Sequence, residues 1–265
     1  MASRPATTDS TTTDSTTTDS TPAESADTAQ IRSVWTREHR QRRDQPALSR
    51  AQIVAEAIAL LDAEGFESLS MRKLGSRLGA GATSLYTHVA NKDELLELVV
   101  DEAFGELRLP AEPSTDWRAA MLELCHDIRR ILLRHPWISM VMTTAGLAYL
   151  GPNMLRLSES LLSILEDAGF DSDTADRASN TLLAYVIGAT STEAAMLTSI
   201  ARSGLDEQVW FEQFMAAADI AARPYPRIHQ RFAGHRGHDS ARIREDNFDS
   251  ELGLILDGLH ARRRS

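Results

Sequence analysis

From residue 49 onward, apolar residues recur at spacings of three and four, without the alternation that marks strands, so the chain reads as one amphipathic helix after another. The first runs from Ser49 to Glu64. Val54, Ala57, Ile58 and Leu61 share a face, Ser49 stands at the N-cap and Gly65 ends it. Ser70 caps a second helix with Met71, Leu74 and Leu78 inward, and Gly79 stops it. A third, short helix spans Ala82 to Val89. At about 100° per residue it buries Ala82, Leu85 and Val89, turns Thr83, Ser84 and Thr87 outward, and sets Tyr86 and His88 at the edges. Further helices are expected over 92–107, 117–133, 138–147, 152–168, 173–202, 208–222 and 246–262, with 227–240 as a Gly- and His-containing loop. The 173–202 helix is apolar on more than one side, so it must be surrounded.

The capped helix, glycine turn and short helix between Ser70 and Lys92 form a unit suited to a DNA major groove. Small hydroxyl side chains at its centre would meet base edges, and larger polar ones at its margins would meet phosphates. The candidate DNA contacts are Ser70, Arg72, Lys73, Ala82, Thr83, Ser84, Tyr86, Thr87, His88 and Lys92. Charge fits this placement. The whole chain is acidic at −10, yet residues 31–92 carry +4 against −10 for residues 93–265. The local field around the phosphates is what counts, so an acidic protein can still bind nucleic acid.

Composition narrows the remaining classes. With 265 residues and 42% hydrophobic content, two domains and a full core are expected. Neither an 18-residue apolar run nor an apolar N-terminal signal core is present, which points to a soluble cytoplasmic protein with no membrane partner. Cys125 is the only cysteine, excluding an intramolecular disulfide and a cysteine-rich zinc site. Its neighbour His126 points about 100° away on a helix, so a nucleophile–base pair is disfavoured and a buried thiol is expected. His229, His235 and His238 have spacings and surroundings that favour a polar loop over a metal site. No phosphate loop, dinucleotide fingerprint or nucleophile elbow occurs, so no catalysis, metal or cofactor is expected. Residues 1–30 repeat Thr-Thr-Thr-Asp-Ser and are expected to be disordered. Residues 31–48 gather arginines around Trp35 and read equally as a DNA-tracking arm or as a linker.

Ile53-Val54, Ala57, Gly65-Phe66, Ser70-Met71-Arg72, Leu78-Gly79, Leu85-Tyr86-Thr87-His88-Val89 and Asn91-Lys92-Asp93-Glu94-Leu95-Leu96 together resemble the three-helix DNA-binding domain of TetR-family transcriptional regulators. Further on, Asp116-Trp117-Arg118, His135-Pro136-Trp137, Gly151-Pro152-Asn153 and the stretch from Asn247-Phe248 to Leu259 resemble the regulatory domain of the tetracycline-repressor branch. The resemblance implies an all-α fold, with a helix-turn-helix DNA-binding domain and connecting helix over 49–107 and a helical ligand-binding and dimerisation domain over 108–265. It also implies a homodimer on double-stranded operator DNA, released by a small-molecule effector and most simply a repressor. An activator, a ligand-independent DNA binder, and a helical enzyme or carrier are the alternatives. Ala82-Thr83 departs from the Gln-Pro pair of the tetracycline repressors, so a different operator is expected. No histidine lies between Trp137 and Gly151, where the chelating one would be sought, so tetracycline itself is not the expected ligand.

Trp117, Met121, Trp137, Met140, Met142, Met154, Tyr185 and Met196 are the candidates to line an apolar effector cavity, since thioethers adapt to varied shapes. The surplus apolar surface of the 173–202 and 246–262 helices marks them as a dimer interface. Its expected members are Leu182, Val186, Ala189, Glu193, Met196, Phe248, Leu252, Ile255, Leu256 and Leu259.

Overall fold

In the computed structural model, residues 48–109, 114–144, 150–234 and 237–263 are described, all within one compact unit, Arg32–Ser265. The expectations for the tail 1–30 and, apart from Leu48, for the arm 31–48 lie outside the described residues. Among those described there are helices and no strands, so the chain is all-α.

α1 (Arg50–Glu64) starts at a capping box. Ser49 Oγ accepts from Gln52 N at 3.2 Å, and Gln52 Oε1 accepts from Ser49 N at 2.9 Å. A 3₁₀ turn, Phe66–Ser68, leads to α2 (Met71–Arg77), capped by Ser70 Oγ accepting from Lys73 N. Gly79, at φ 62°, makes the left-handed turn after α2. α3 (Ala82–Leu85) ends sooner than the periodicity predicts. Beyond Leu85 the chain tightens: Thr87 Oγ1 donates to Ser84 O at 2.7 Å, and the amides of His88 and Val89 both donate to Leu85 O. Leu85 and Val89 are fully buried, as their spacing predicts, and α3 packs against α2.

α4 (Lys92–Phe104) is capped by Asn91 and buried along nearly its whole length. It packs on α1 at one end and α7 at the other, so it joins the N-terminal helices to the C-terminal ones. The rest is helical: α5 (Trp117–Arg134), α6 (Trp137–Thr144), α7 (Pro152–Asp167), α8 (Ser172–Ser203), α9 (Glu207–Ala222), α10 (Pro226–Gly234) and α11 (Ser240–His260). The long helix α8 packs against α5, α7 and α11 but is not surrounded within the protomer, since Ala184, Gly188 and Ala195 remain exposed along one side. Two more expectations change. The stretch read as a loop is helical over α10, where Pro226 supplies a preset first-turn φ and His229 pairs with Asp219 of α9. The last helix begins at Ser240 rather than 246, because Asp239 caps it by accepting from Arg242 N at 2.7 Å. Both segments are held by polar contacts, the His229–Asp219 pair and the Asp239 cap, which apolar spacing alone does not report.

Candidate nucleic-acid interface

The outward side of α2 and α3 is built by what the inward side buries. Met71, Leu74, Leu85 and Val89 are in the core, whereas Arg72, Thr83, Ser84, Tyr86 and Thr87 are exposed, Tyr86 to 50%. Ala82, His88 and Lys92 are half-buried beside them. Four of the expected contacts are partly committed elsewhere, the Thr87 hydroxyl by its bond to Ser84 O. Ser70 Oγ caps α2, Lys73 Nζ pairs with Glu64 of α1, and Lys92 Nζ stands 4.7 Å from the Phe66 ring centroid. Arg77 is likewise bound to Glu56 and Glu64, which holds α2 against α1.

Gly75, a residue without a role in the sequence reading, sets the approach of the two helices. A Cβ there would lie 2.8 Å from Ala80 O and 3.3 Å from Ala82 N, so only glycine lets the turn fold back on α2. The signal was available: a glycine inside a helix costs about 1 kcal/mol relative to alanine and usually marks a close approach.

Two carboxylates tie this head to the other helices. Asp62 Oδ1, at the end of α1, accepts from Trp137 Nε1 at 2.7 Å and lies 2.7 Å from His135 Nδ1. The His135 ring is enclosed, with only 2% of the residue exposed, and its Nε2 is 3.4 Å from Glu106 Oε1. The second tie is Asp101 of α4. Its carboxylate accepts from the backbone N–H groups of Asn153 and Met154 and from Asn153 Nδ2, acting as the cap that Gly151 cannot provide for α7. A side chain at Gly151 would overlap the Asp101 carboxylate. Burial raises the Asp101 pKa despite the hydrogen bonds that oppose it.

The expected ligand residues divide. Trp117, Met121 and Trp137 are core, Trp117 stacking on His260 and meeting Phe170 edge-on. Met142 and Met154 pack half-buried against the core, and Met140 is exposed. The Tyr185 hydroxyl donates to Phe248 O at 3.1 Å. Of these residues, Met196 lines a cavity, between α8, α9 and α11. These helices and α5 hold an ionic chain hidden from periodicity by its long sequence separations. Glu193 accepts from Arg129 Nε and Nη2 and from Arg244 Nε, Arg129 Nη1 reaches Glu245, and Arg244 Nη1 reaches Glu207. Burial acts against the Arg129 charge, but Glu193 and Glu245 outweigh it and raise its pKa. Cys125 is a buried thiol, pushed up to about 12 by burial.

The expected interface residues divide between the protomer's own core and partly open positions. Leu182, Val186, Phe248, Leu252 and Leu256 lie in the protomer's own core, where α8 and α11 pack on α5, and Glu193 is held by the two arginines. Ala189, Met196, Ile255 and Leu259 are half-buried. The outer side of α11 instead presents Leu254, 73% exposed, and α8 exposes Ala184, Gly188 and Ala195.

Comparison with known proteins agrees with this architecture. Residues 53–99 match the model of bacterial regulatory proteins of the tetR family, and residues 109–263 match the tetracyclin repressor-like C-terminal domain. The HTH-type transcriptional repressor DrrR1 of Streptomyces coeruleorubidus is 31% identical over 240 residues, covering 89% of this chain and 86% of that protein. An HTH-type transcriptional regulator of Saccharopolyspora erythraea is 44% identical over 162 residues, 61% of this chain and 68% of the relative. Among solved structures, the Streptomyces coelicolor TetR family protein ActR in complex with actinorhodin aligns with a TM-score of 0.67 and 29% identity, over 82% of this chain and 99% of that one. With a helix-turn-helix at one end and a repressor-like helical domain at the other, the chain belongs to the TetR family of DNA-binding transcriptional regulators.

Proposed function

We propose that the chain is a homodimeric cytoplasmic repressor, with residues 49–107 as its DNA-binding domain and 108–265 as its regulatory and dimerisation domain. Thr83, Ser84 and Thr87 select sequence, while Tyr86, His88, Arg72 and Lys92 position phosphates. The two-fold axis sets the recognition segments about 34–36 Å apart, one turn of DNA, or a multiple of it. A small effector that favours a different spacing shifts the population away from the operator.

The observation that carries this reading is the join between the two domains. Asp62 of α1 is bonded to the His135 and Trp137 side chains, and Asp101 of α4 caps α7, so a shift of α5, α6 or α7 is felt at the head. ActR is solved with actinorhodin and with (S)-DNPA, which supports a ligand-responsive reading here. The test is fluorescence anisotropy on palindromic duplexes drawn from the DNA flanking the gene. Two protomers should bind per palindrome, with affinity falling steeply as salt rises. Equal affinity for palindromic and scrambled duplexes would refute a sequence-specific repressor.

A further inference from the structure

The cavity between α8, α9 and α11 has a volume of about 170 Å³. That compares with the roughly 150 Å³ that accommodates a benzene ring, so it suits one aromatic ring with a short substituent. Its walls are apolar and aromatic, from Met196, Ile200, Trp210, Phe211 and Ile243. Its polar end is the Glu207–Arg244 pair, with Ser240 donating to Glu207 Oε1 at 2.6 Å.

The charge around that end decides what can enter. Arg129 and Arg244 stand against Glu193, Glu207 and Glu245, leaving one carboxylate in excess. Beyond Glu245, His126 of α5 is 2.6 Å from Asp249, which adds no positive surplus. An anion would therefore meet a site already rich in carboxylates, whereas a cation relieves the excess. Glu207 is the reachable partner. It lines the cavity and its side chain is 30% exposed against 11% for Glu193, which is sunk between the two arginines. If Glu207 turns to a ligand, Arg244 keeps Glu193, so no guanidinium is stranded.

We infer that this cavity binds a small aromatic amine, its ring among Trp210, Phe211 and Ile243 and its ammonium on Glu207. The inference rests on the ligand-responsive reading above and names the chemical class of ligand. A route to the head follows from the same contacts. Glu207 lies in the first turn of α9, Arg244 on α11, Glu193 on α8 and Arg129 on α5. α5 ends at Arg134, and the next residue, His135, holds Asp62 of the DNA-facing α1.

The test is an NMR titration of the full chain with 2-phenylethylamine, 3-phenylpropionate and 2-phenylethanol, read at the Trp210 indole N–H, which Trp210→Phe assigns. The amine should bind at least fivefold tighter than either analogue, and Glu207→Gln should bring it within twofold of the alcohol. Asn247→Asp, which adds a carboxylate to the lining, should strengthen the amine and weaken the acid even if Glu207→Gln folds poorly. The acid binding tightest, equal affinities, no shift with any probe, or an amine preference that survives Glu207→Gln would overturn the inference. Operator occupancy measured alongside separates the two levels: amine binding without release upholds the site and refutes the effector reading.

Discussion

Arg72 and Lys73 are neighbours with opposite commitments, and their substitutions should separate accordingly. Arg72 is exposed on the α2–α3 surface, whereas Lys73 Nζ is occupied by Glu64. Arg72→Ala should lower the salt slope of operator binding by about one and weaken all sequences alike, as measured by anisotropy over a salt series. Lys73→Ala should leave the slope nearly unchanged and alter stability by less than about 1 kcal/mol, the range of an exposed pair. Gly75→Ala forces a methyl onto the Ala80 carbonyl, so the turn must open. A loss of about 1–3 kcal/mol in urea unfolding is expected, with operator affinity falling at least tenfold. Unchanged binding would show that the turn yields without moving α3. At this scale the sequence is informative about caps, since Ser49, Ser70 and Asn91 each precede the helix they cap. It is silent about what a glycine's missing side chain would strike, because Ala80 approaches Gly75 only after the turn has formed.

Helices that periodicity delimits well are joined by contacts it cannot foresee. Asp62 and its partners His135 and Trp137 are more than 70 residues apart in sequence. A lone aspartate near a helix end reads simply as solvated. Asp62→Ala removes the shared acceptor of two buried N–H donors, each costing about 1–3 kcal/mol when left unmade. Thermal unfolding should shift down, and Trp137 emission should move to the red as its ring loosens; wild-type emission and stability would show that this tie is dispensable. The ionic chain gives a pH test with a definite sign. Hydrogen bonding to Arg244 and Arg129 lowers the Glu207 and Glu245 pKa values against the opposing effect of burial. Their stabilisation is thus fully present above the unfolded glutamate value, about 4.3, and is lost as pH falls through the lower folded values. Hydrogen exchange in α9 and α11 should accelerate in that acid window, and less so in Arg244→Met, where the Glu207 interaction is already gone.

For the whole molecule, the assembly turns on which side of α11 faces out. The repeat Phe248, Leu252, Ile255, Leu259 marks an apolar stripe without saying whether its cover is the same chain or a second copy. Folding resolves this. Phe248, Leu252 and Leu256 are sealed inside the protomer, while Leu254 on α11 and the small residues Ala184, Gly188 and Ala195 on α8 are exposed. Small side chains let helices approach closely, so two α8–α11 pairs can meet across a two-fold axis as a four-helix bundle with Leu254 near its centre. The two leucines, two residues apart, should therefore fail in different ways. Leu256→Glu buries an unpaired carboxylate and should unfold the protomer. Leu254→Glu should leave the helical content intact, yet sedimentation should show a monomer, and operator affinity should fall because one head makes half the contacts. A Leu254→Glu protein that remains a dimer with normal operator binding would place the interface elsewhere on the chain.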